Sequence, residues 1–250
     1  MRKLLLEMAY DGSGYHGYQV QQNAISVAEV LQDAIEIVFK KREDIVGCSR
    51  TDTGVHANQY FCHMQTDLDI PTDAVVTALN NNLPSDVAVL SCKEVDDDFH
   101  ARYSVFYKEY VYKIHNSKIK NPFLKDKALQ FKYPIDEEKL NELAKEFLGT
   151  HSFKAFCSAG AKPTDNYNRT IYKAEVKREG DIVTFTVAGD GFLYNMVRIM
   201  VGTLLLSPQG KLQKGDITKI LESENREDAG ITASPCGLYL NHVSYLPFGR

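Results

Sequence analysis

The feature that most constrains this chain is the order of its apolar segments, which runs through the same cycle twice. RKLLLEMAY (2–10) is a short apolar run of strand type. SVAEVLQDAIEIVFKK (26–41) places Val27, Val30, Leu31, Ala34, Ile35 and Val38 at helical spacing, with Ser26 as N-cap. DIVGCSR (44–50) and NQYFCHMQT (58–66) read as strands, PTDAVVTALNNNL (71–83) as a helix opened by Pro71, and DVAVLSCKEV (86–95) as a strand. This is the β-α-β-β-α-β order of a split β-α-β unit. The second cycle is a strand at 104–116, a helix at 136–149, strands at 168–180 and 181–189, and a helix at 191–206. A short extra helix at 215–223 and a closing strand at 237–246 complete it. The halves share this order without sequence identity. The chain is therefore expected to be an α+β protein of two ferredoxin-like (RRM-like) halves, 1–103 and 104–250, with a largely antiparallel sheet and a central cleft. A chain of 250 residues suits one large domain or two ordinary ones. Clefts between domains are where ligand sites concentrate.

Several classes of function drop out on composition. The longest apolar run, at 192–206, is too short to span a bilayer and contains Arg198. Glu7 interrupts the apolar N-terminus, so no secretory signal is read. The five cysteines include no C-x-x-C pair, which argues against a zinc site and a disulfide framework. A reduced, cytoplasmic protein with no metal and no membrane contact is expected. A net charge of −4 does not suggest nucleic-acid binding, yet residues 101–132 carry a local charge of +6, from Arg102 and seven lysines against Glu109 and Asp126. Tyr103, Phe106, Tyr107, Tyr110, Tyr112, Phe123 and Phe131 interleave them. Cations for phosphates with rings for bases suit looped or single-stranded RNA. A strand with one solvated lysine face and one core face has the same composition.

The motifs divide into weak and strong ones. Gly12, Gly14 and Gly17 match G-x-G-x-x-G after a strand, but the following helix starts too late to hold a pyrophosphate. They are better read as part of a tight loop. Asp52-Thr53-Gly54 repeats the aspartic-protease D-T-G, but the chain has no second copy, and Arg50 opposes the raised pKa that an acid partner needs. The wider stretch GCSRTDTGVHA (47–57) is more informative. On a strand, Arg50 and Asp52 point to one face. A guanidinium there keeps the carboxylate ionised, and Gly54 lets a substrate approach. That suits a nucleophile or an electrostatic stabiliser, against the plain alternative of a hairpin with a surface ion pair. Arg198 is the one charged residue between Gly191 and Ser207. It either reaches out to water or pairs with a buried carboxylate, for which Asp52 is the candidate. Tyr110 and Tyr112 alternate on one strand, either as core residues or, in a site, as a ring against a base with its hydroxyl near the reacting carbon.

Taken together these residues resemble the tRNA pseudouridine synthase A family over nearly the whole chain. YDGSGYHGYQVQ (10–21), SRTDTGVHA (49–57), ALNNNLPSDVAV (78–89), DDFHARYS (97–104), KEYVYKIHN (108–116), GFLYNMVRIMVG (191–202) and GLYL (237–240) follow in family order. The resemblance implies an isomerase that converts uridine to pseudouridine in the tRNA anticodon stem-loop, at positions thirty-eight to forty. It works as a homodimer without a cofactor. By the same resemblance Asp52 is the nucleophile, Tyr110 the substrate-binding tyrosine, Arg198 the arginine paired with the aspartate, and Arg50 a contact to the flipped nucleotide. Arg102, in the basic segment, joins Arg50 and Tyr110 as a substrate-binding candidate. Attack at C6 of the base or at C1′ of the ribose both remain open, and Tyr110 is a candidate base for the C5 proton.

Ser49 stands where glycine is common in the family, Thr53 where alanine is, Tyr18 where tryptophan is, and Ile199 where asparagine is. None of these removes a catalytic group, but they leave the choice of uridines open. The alternative to the isomerase is a catalytically silent RNA-binding or RNA-folding protein on the same scaffold.

Overall fold

A computed structural model describes residues 1–160 and 166–249. The protein is a mixed α+β fold, and its backbone divides into two compact units. The first comprises Met1–Phe106 with Tyr239–Phe248, and the second Tyr107–Leu238.

In the first unit β1 (Arg2–Tyr10) lies between two partners and runs antiparallel to both, β3 (His56–Thr66) and β4 (Val87–Val95). The short β2 (Ile45–Gly47) pairs antiparallel with the far part of β3. The spatial order is therefore β4-β1-β3-β2, the split β-α-β arrangement. Leu4, Leu6 and Met8 of β1 are buried, with Met64 opposite Leu4 and Cys62 opposite Leu6. Helices α1 (Val27–Phe39) and α2 (Thr72–Asn80) supply Leu31, Ile35, Val75 and Leu79 to the same core. The sequence marks the start of α1 with Ser26. Its hydroxyl accepts from the Glu29 N–H, while the Ser26 N–H donates back to the Glu29 carboxylate, both at 3.3 Å. This reciprocal pair satisfies two orphan donors of the first turn.

The second unit is built on β5 (Tyr107–Asn116), β8 (Asn168–Glu179) and β9 (Ile182–Gly189), with β9 antiparallel to both of the others. β6 (Leu129–Phe131) pairs parallel with the end of β5, and β7 (Gly149–Ser152) antiparallel with β8. Helices α3 (Glu137–Ala144), α4 (Met196–Leu204) and α5 (Asp216–Ser223) complete the unit. Tyr112, Phe147, Phe153, Phe156 and Phe185 are its largest fully buried side chains.

Three features differ from the sequence reading. The closing strand β10 (Leu238–Ser244) was expected in the second half, but it pairs parallel with β3 through Tyr239↔His56 and Leu240↔Ala57, inside the first unit. Helix α4 begins at Met196 rather than near Gly191, because Asn195 sits in the left-handed region at φ 60° and ends the irregular approach. Residues 48–55 are not a strand at all, since β2 stops at Gly47 and β3 begins at His56. The two-residue alternation invoked for Arg50 and Asp52 therefore has no backbone to act on.

Candidate active site

Asp52, Arg50 and Arg102 belong to the first unit, Tyr110 and Arg198 to the second.

The Asp52 loop is held from behind by the loop after β1. The Tyr18 N–H donates to the Thr51 carbonyl (3.2 Å), and the Gly54 N–H donates to the Tyr15 carbonyl (3.2 Å). Within the loop the Val55 N–H closes a turn onto the Asp52 carbonyl (3.1 Å), and Gly54 takes φ 76°. The glycines of the false G-x-G-x-x-G motif explain the closeness. A Cβ on Gly12 would stand 2.0 Å from the Val55 carbonyl oxygen. One on Gly17, itself at φ 87°, would stand 2.6 Å from the Thr51 oxygen. At Gly14 the nearest atom would be 4.0 Å away, so only two of the three glycines are required by close packing. The Gly12 N–H also donates to His56 Nδ1 (3.1 Å), and the same nitrogen lies 3.0 Å from the Asp11 carboxylate.

Three tyrosines that the sequence reading did not connect support the loop from below. Tyr10 Oη and Thr51 Oγ1 share a hydrogen bond of 2.7 Å, and the Tyr60 hydroxyl donates to the Ser49 carbonyl. Tyr18 stacks on Tyr60 with ring centroids 4.4 Å apart. Gly47 is needed here too, since its Cβ would lie 2.1 Å from Tyr60 Oη. Burial raises the pKa of Tyr18 and Tyr60 well above the ordinary phenol value, so this wall stays neutral. On it Thr51 is buried, Asp52 half-buried and Arg50 exposed. A carboxylate on a rigid, partly open loop is placed to act as a nucleophile or as a fixed charge.

Arg102 lies on an exposed loop that two imidazoles hold. His63 Nδ1 accepts from the Ala101 N–H (3.1 Å), and His100 Nδ1 faces the N–H groups of Arg102 and Tyr103 at 3.2 Å each. The Tyr103 ring stacks on His100 at 4.3 Å. Burial lowers the His63 pKa to about 4, helped by the neighbouring His100 and Lys3. A neutral His63 is the form that can accept the Ala101 bond.

In the second unit, residues 191–198 gather Tyr110 and Arg198. The buried Tyr110 ring meets Phe192 edge-on at 5.1 Å. Arg198, half-buried on α4, donates from Nη1 to Asn195 Oδ1 (2.7 Å) and from Nε to the Ala233 carbonyl (2.8 Å). The Ala233 N–H returns a bond to the Arg198 carbonyl (3.1 Å). The strap carrying Ala233 lies against α4 because both sides offer glycine. A Cβ on Gly202 would come within 1.7 Å of the Ile231 oxygen, and one on Gly230 within 2.5 Å of the Gly202 carbonyl. Thr203 Oγ1 accepts from the Gly230 N–H at 2.8 Å. Tyr112, the second tyrosine of the pair, is a core residue. It is fully buried, donates to the Ser234 carbonyl (2.7 Å), and has its pKa raised by burial.

The sequence pattern of the family described as tRNA pseudouridine synthase matches residues 8–104 and 143–246. The chain belongs to the tRNA pseudouridine synthase family. It is 42% identical to tRNA pseudouridine synthase A of Thermoanaerobacter sp. (strain X514), over 98% of this chain and 100% of that protein. It is 43% identical to the protein of the same name from Acetivibrio thermocellus, again over 98% and 100%, and 38% identical to that of Staphylococcus aureus over 96% and 91%. Pseudouridine synthases are isomerases, and this family member is an enzyme of that class. Arg50, Asp52, Arg102 and Arg198 fall within the matched ranges of the synthase pattern, whereas Tyr110 lies between them. Among the described residues of the synthase, no helix is long and apolar enough to cross a membrane. Nor does any group of three or more His, Cys, Asp or Glu side chains there form a metal site.

Proposed function

We propose that this isomerase converts uridine to pseudouridine in the anticodon stem-loop of tRNA, at positions thirty-eight to forty, with Asp52 as the nucleophile. The reaction breaks the C1′–N1 glycosidic bond and forms a C1′–C5 bond to the same base, so it neither gains nor loses atoms. The target base has to leave the helix stack first. Tyr110 packs against the flipped base and stands near its C5 proton, and Arg198 supplies the positive charge that favours an ionised carboxylate. Arg50 contacts the flipped nucleotide, and Arg102 joins it in binding the substrate RNA. The enzyme acts as a homodimer in the cytoplasm and without a cofactor.

The observation that carries this reading is the mounting of Asp52. The residues that flank it are bonded through their backbones to the Gly12–Tyr18 loop, while its own side chain is only half-buried. Such rigidity has little use in a surface turn and much in a group that must meet a reacting carbon within a fraction of an ångström.

The test is tritium release from tRNA labelled at C5 of its uridines, with no cofactor added. Wild type is expected to release tritium and Asp52→Ala to release none. If neither protein releases tritium while both bind the tRNA, the silent RNA-binding reading takes its place.

A further inference from the structure

The end of β5 carries a groove unrelated to Tyr110. Lys118, Lys120, Gln130, Phe131, Lys132 and Tyr133 line about 470 Å³ of open space, within the roughly 300–1,000 Å³ typical of small-ligand sites. Tyr110 and Asn116 stand six positions apart on one strand, so their backbones are about 20 Å apart and the groove opens beyond the far end of the strand from Tyr110. It also falls in residues 105–142, between the two ranges that the family pattern matches.

Its floor is rigid and its rim is charged. β6 is paired to β5 through His115↔Gln130 and Asn116↔Phe131. The Asn116 amide donates to the Phe131 carbonyl (3.0 Å) and to the Tyr133 carbonyl (2.8 Å). Its oxygen accepts from the Ile135 N–H (3.1 Å) and from Arg178 (3.1 Å). Gln130 is bonded to His115 and to the Ser117 carbonyl, so it belongs to the floor. Facing the ligand space are two aromatic rings, Phe131 and Tyr133, 5.5 Å apart and inclined at 58°, and the ammonium groups of Lys118, Lys120 and Lys132, the last of which stands 5.3 Å from the centre of the Tyr133 ring. All three lysines are exposed, as is Tyr133, and among the described residues no carboxylate lines the groove.

Aromatic rings among cations are the chemistry that binds an unstacked nucleotide with its flanking phosphates. We infer that the groove formed by Phe131, Tyr133, Lys118, Lys120 and Lys132 is a second RNA subsite, which holds an unpaired nucleotide of the tRNA several nucleotides away from the target uridine. This rests on the proposed tRNA substrate. The lysines neutralise phosphates and the rings hold one base, so the subsite contributes to affinity and alignment and not to the chemical step.

The experiment measures binding of an unmodified tRNA transcript to the full-length protein over a series of salt concentrations, together with single-turnover tritium release at saturating tRNA. Lys118→Ala/Lys120→Ala/Lys132→Ala is expected to weaken binding at least tenfold. It should lower the slope of log K against log salt by about 2, at roughly 0.7 for each single-strand phosphate that is no longer neutralised. Tyr133→Ala is expected to weaken binding severalfold with the slope unchanged, and Tyr133→Phe to restore it. Single-turnover rates at saturation should stay at the wild-type value in all three, which also shows that they fold. Lys177→Ala, on β8 outside the groove, serves as the control. Unchanged affinity and slope in the triple variant would overturn the subsite, whether the groove is empty or takes a protein instead. Absence of turnover in wild type would refute the isomerase reading separately, since the binding measurements stand without it.

Discussion

Replacing Gly17 with alanine tests whether the loop after β1 sets the position of Asp52. Gly17 sits at φ 87°, where a side chain costs roughly 1–2 kcal/mol. The new Cβ would also stand 2.6 Å from the Thr51 carbonyl oxygen, a backbone atom that cannot rotate away. Overpacking of this kind costs about 1–3 kcal/mol, so the combined loss is about 2–5 kcal/mol. Against a usual total of about 5–15 kcal/mol the variant stays folded, and its urea midpoint falls by about 1–2 M. Reaching ordinary van der Waals separation takes a shift of about 0.8 Å at Thr51, the residue before Asp52. A misplacement near 1 Å at a reacting group costs about a hundredfold in rate. The assay is therefore urea unfolding together with single-turnover tritium release at saturating tRNA. Gly14→Ala is the internal control, because its Cβ would meet nothing nearer than 4.0 Å and the change should stay within about 0.5 kcal/mol. If Gly14→Ala and Gly17→Ala behave alike, or if Gly17→Ala loses stability at full rate, the claim that this close approach positions Asp52 is wrong.

Other perturbations have equally definite outcomes. Arg198→Lys removes the planar fork that serves Asn195 and Ala233 together, and should cost about 1.5–3 kcal/mol in chemical unfolding, with turnover falling as well. His63 has a pKa lowered to about 4, so its unfolded form binds the proton first as pH falls. The stability it contributes is complete above pH 6.5 and is lost progressively toward pH 4. Allowing for solvent screening this amounts to about 1–2 kcal/mol, and His63→Gln should flatten that part of the unfolding profile. Cys62 is fully buried, and burial raises its thiol to about 12, so an alkylating reagent near neutral pH should leave it untouched in the native protein and modify it in urea.

How much of this was legible in the sequence depended on the range of the interaction. Ser26 and Glu29 are three residues apart, so the start of α1 was readable locally, as were the main strands. β6 and β7 have three and four residues, too few to show a period, and they were missed. The pairing of Tyr239 with His56 spans most of the chain, and counting elements in order does not reveal it. The same limit hid the site's supports. Gly12 and Gly17 were recognised as loop residues, but their partners Val55 and Thr51 lie some forty positions away. Asp52 was picked out because an Arg-Thr-Asp-Thr-Gly run is excessive for a turn, yet the strand alternation offered to explain it does not exist. Arg198 stood out as a lone charge on an apolar helix, but its holders within the second unit did not: Asn195 lies three residues earlier, and Ala233 sits on a strap visible only once Gly202 and Gly230 are seen face to face.

The central claim is that the Asp52 carboxylate, and not merely a polar group at its position, performs the chemistry. Asp52→Asn keeps the size of the side chain and one acceptor oxygen, and removes its charge. The decisive measurement is single-turnover pseudouridine formation in the anticodon stem-loop by this variant, alongside its affinity for the same tRNA. The account predicts no detectable product with affinity within a few fold of wild type. Product at a rate near wild type would contradict it.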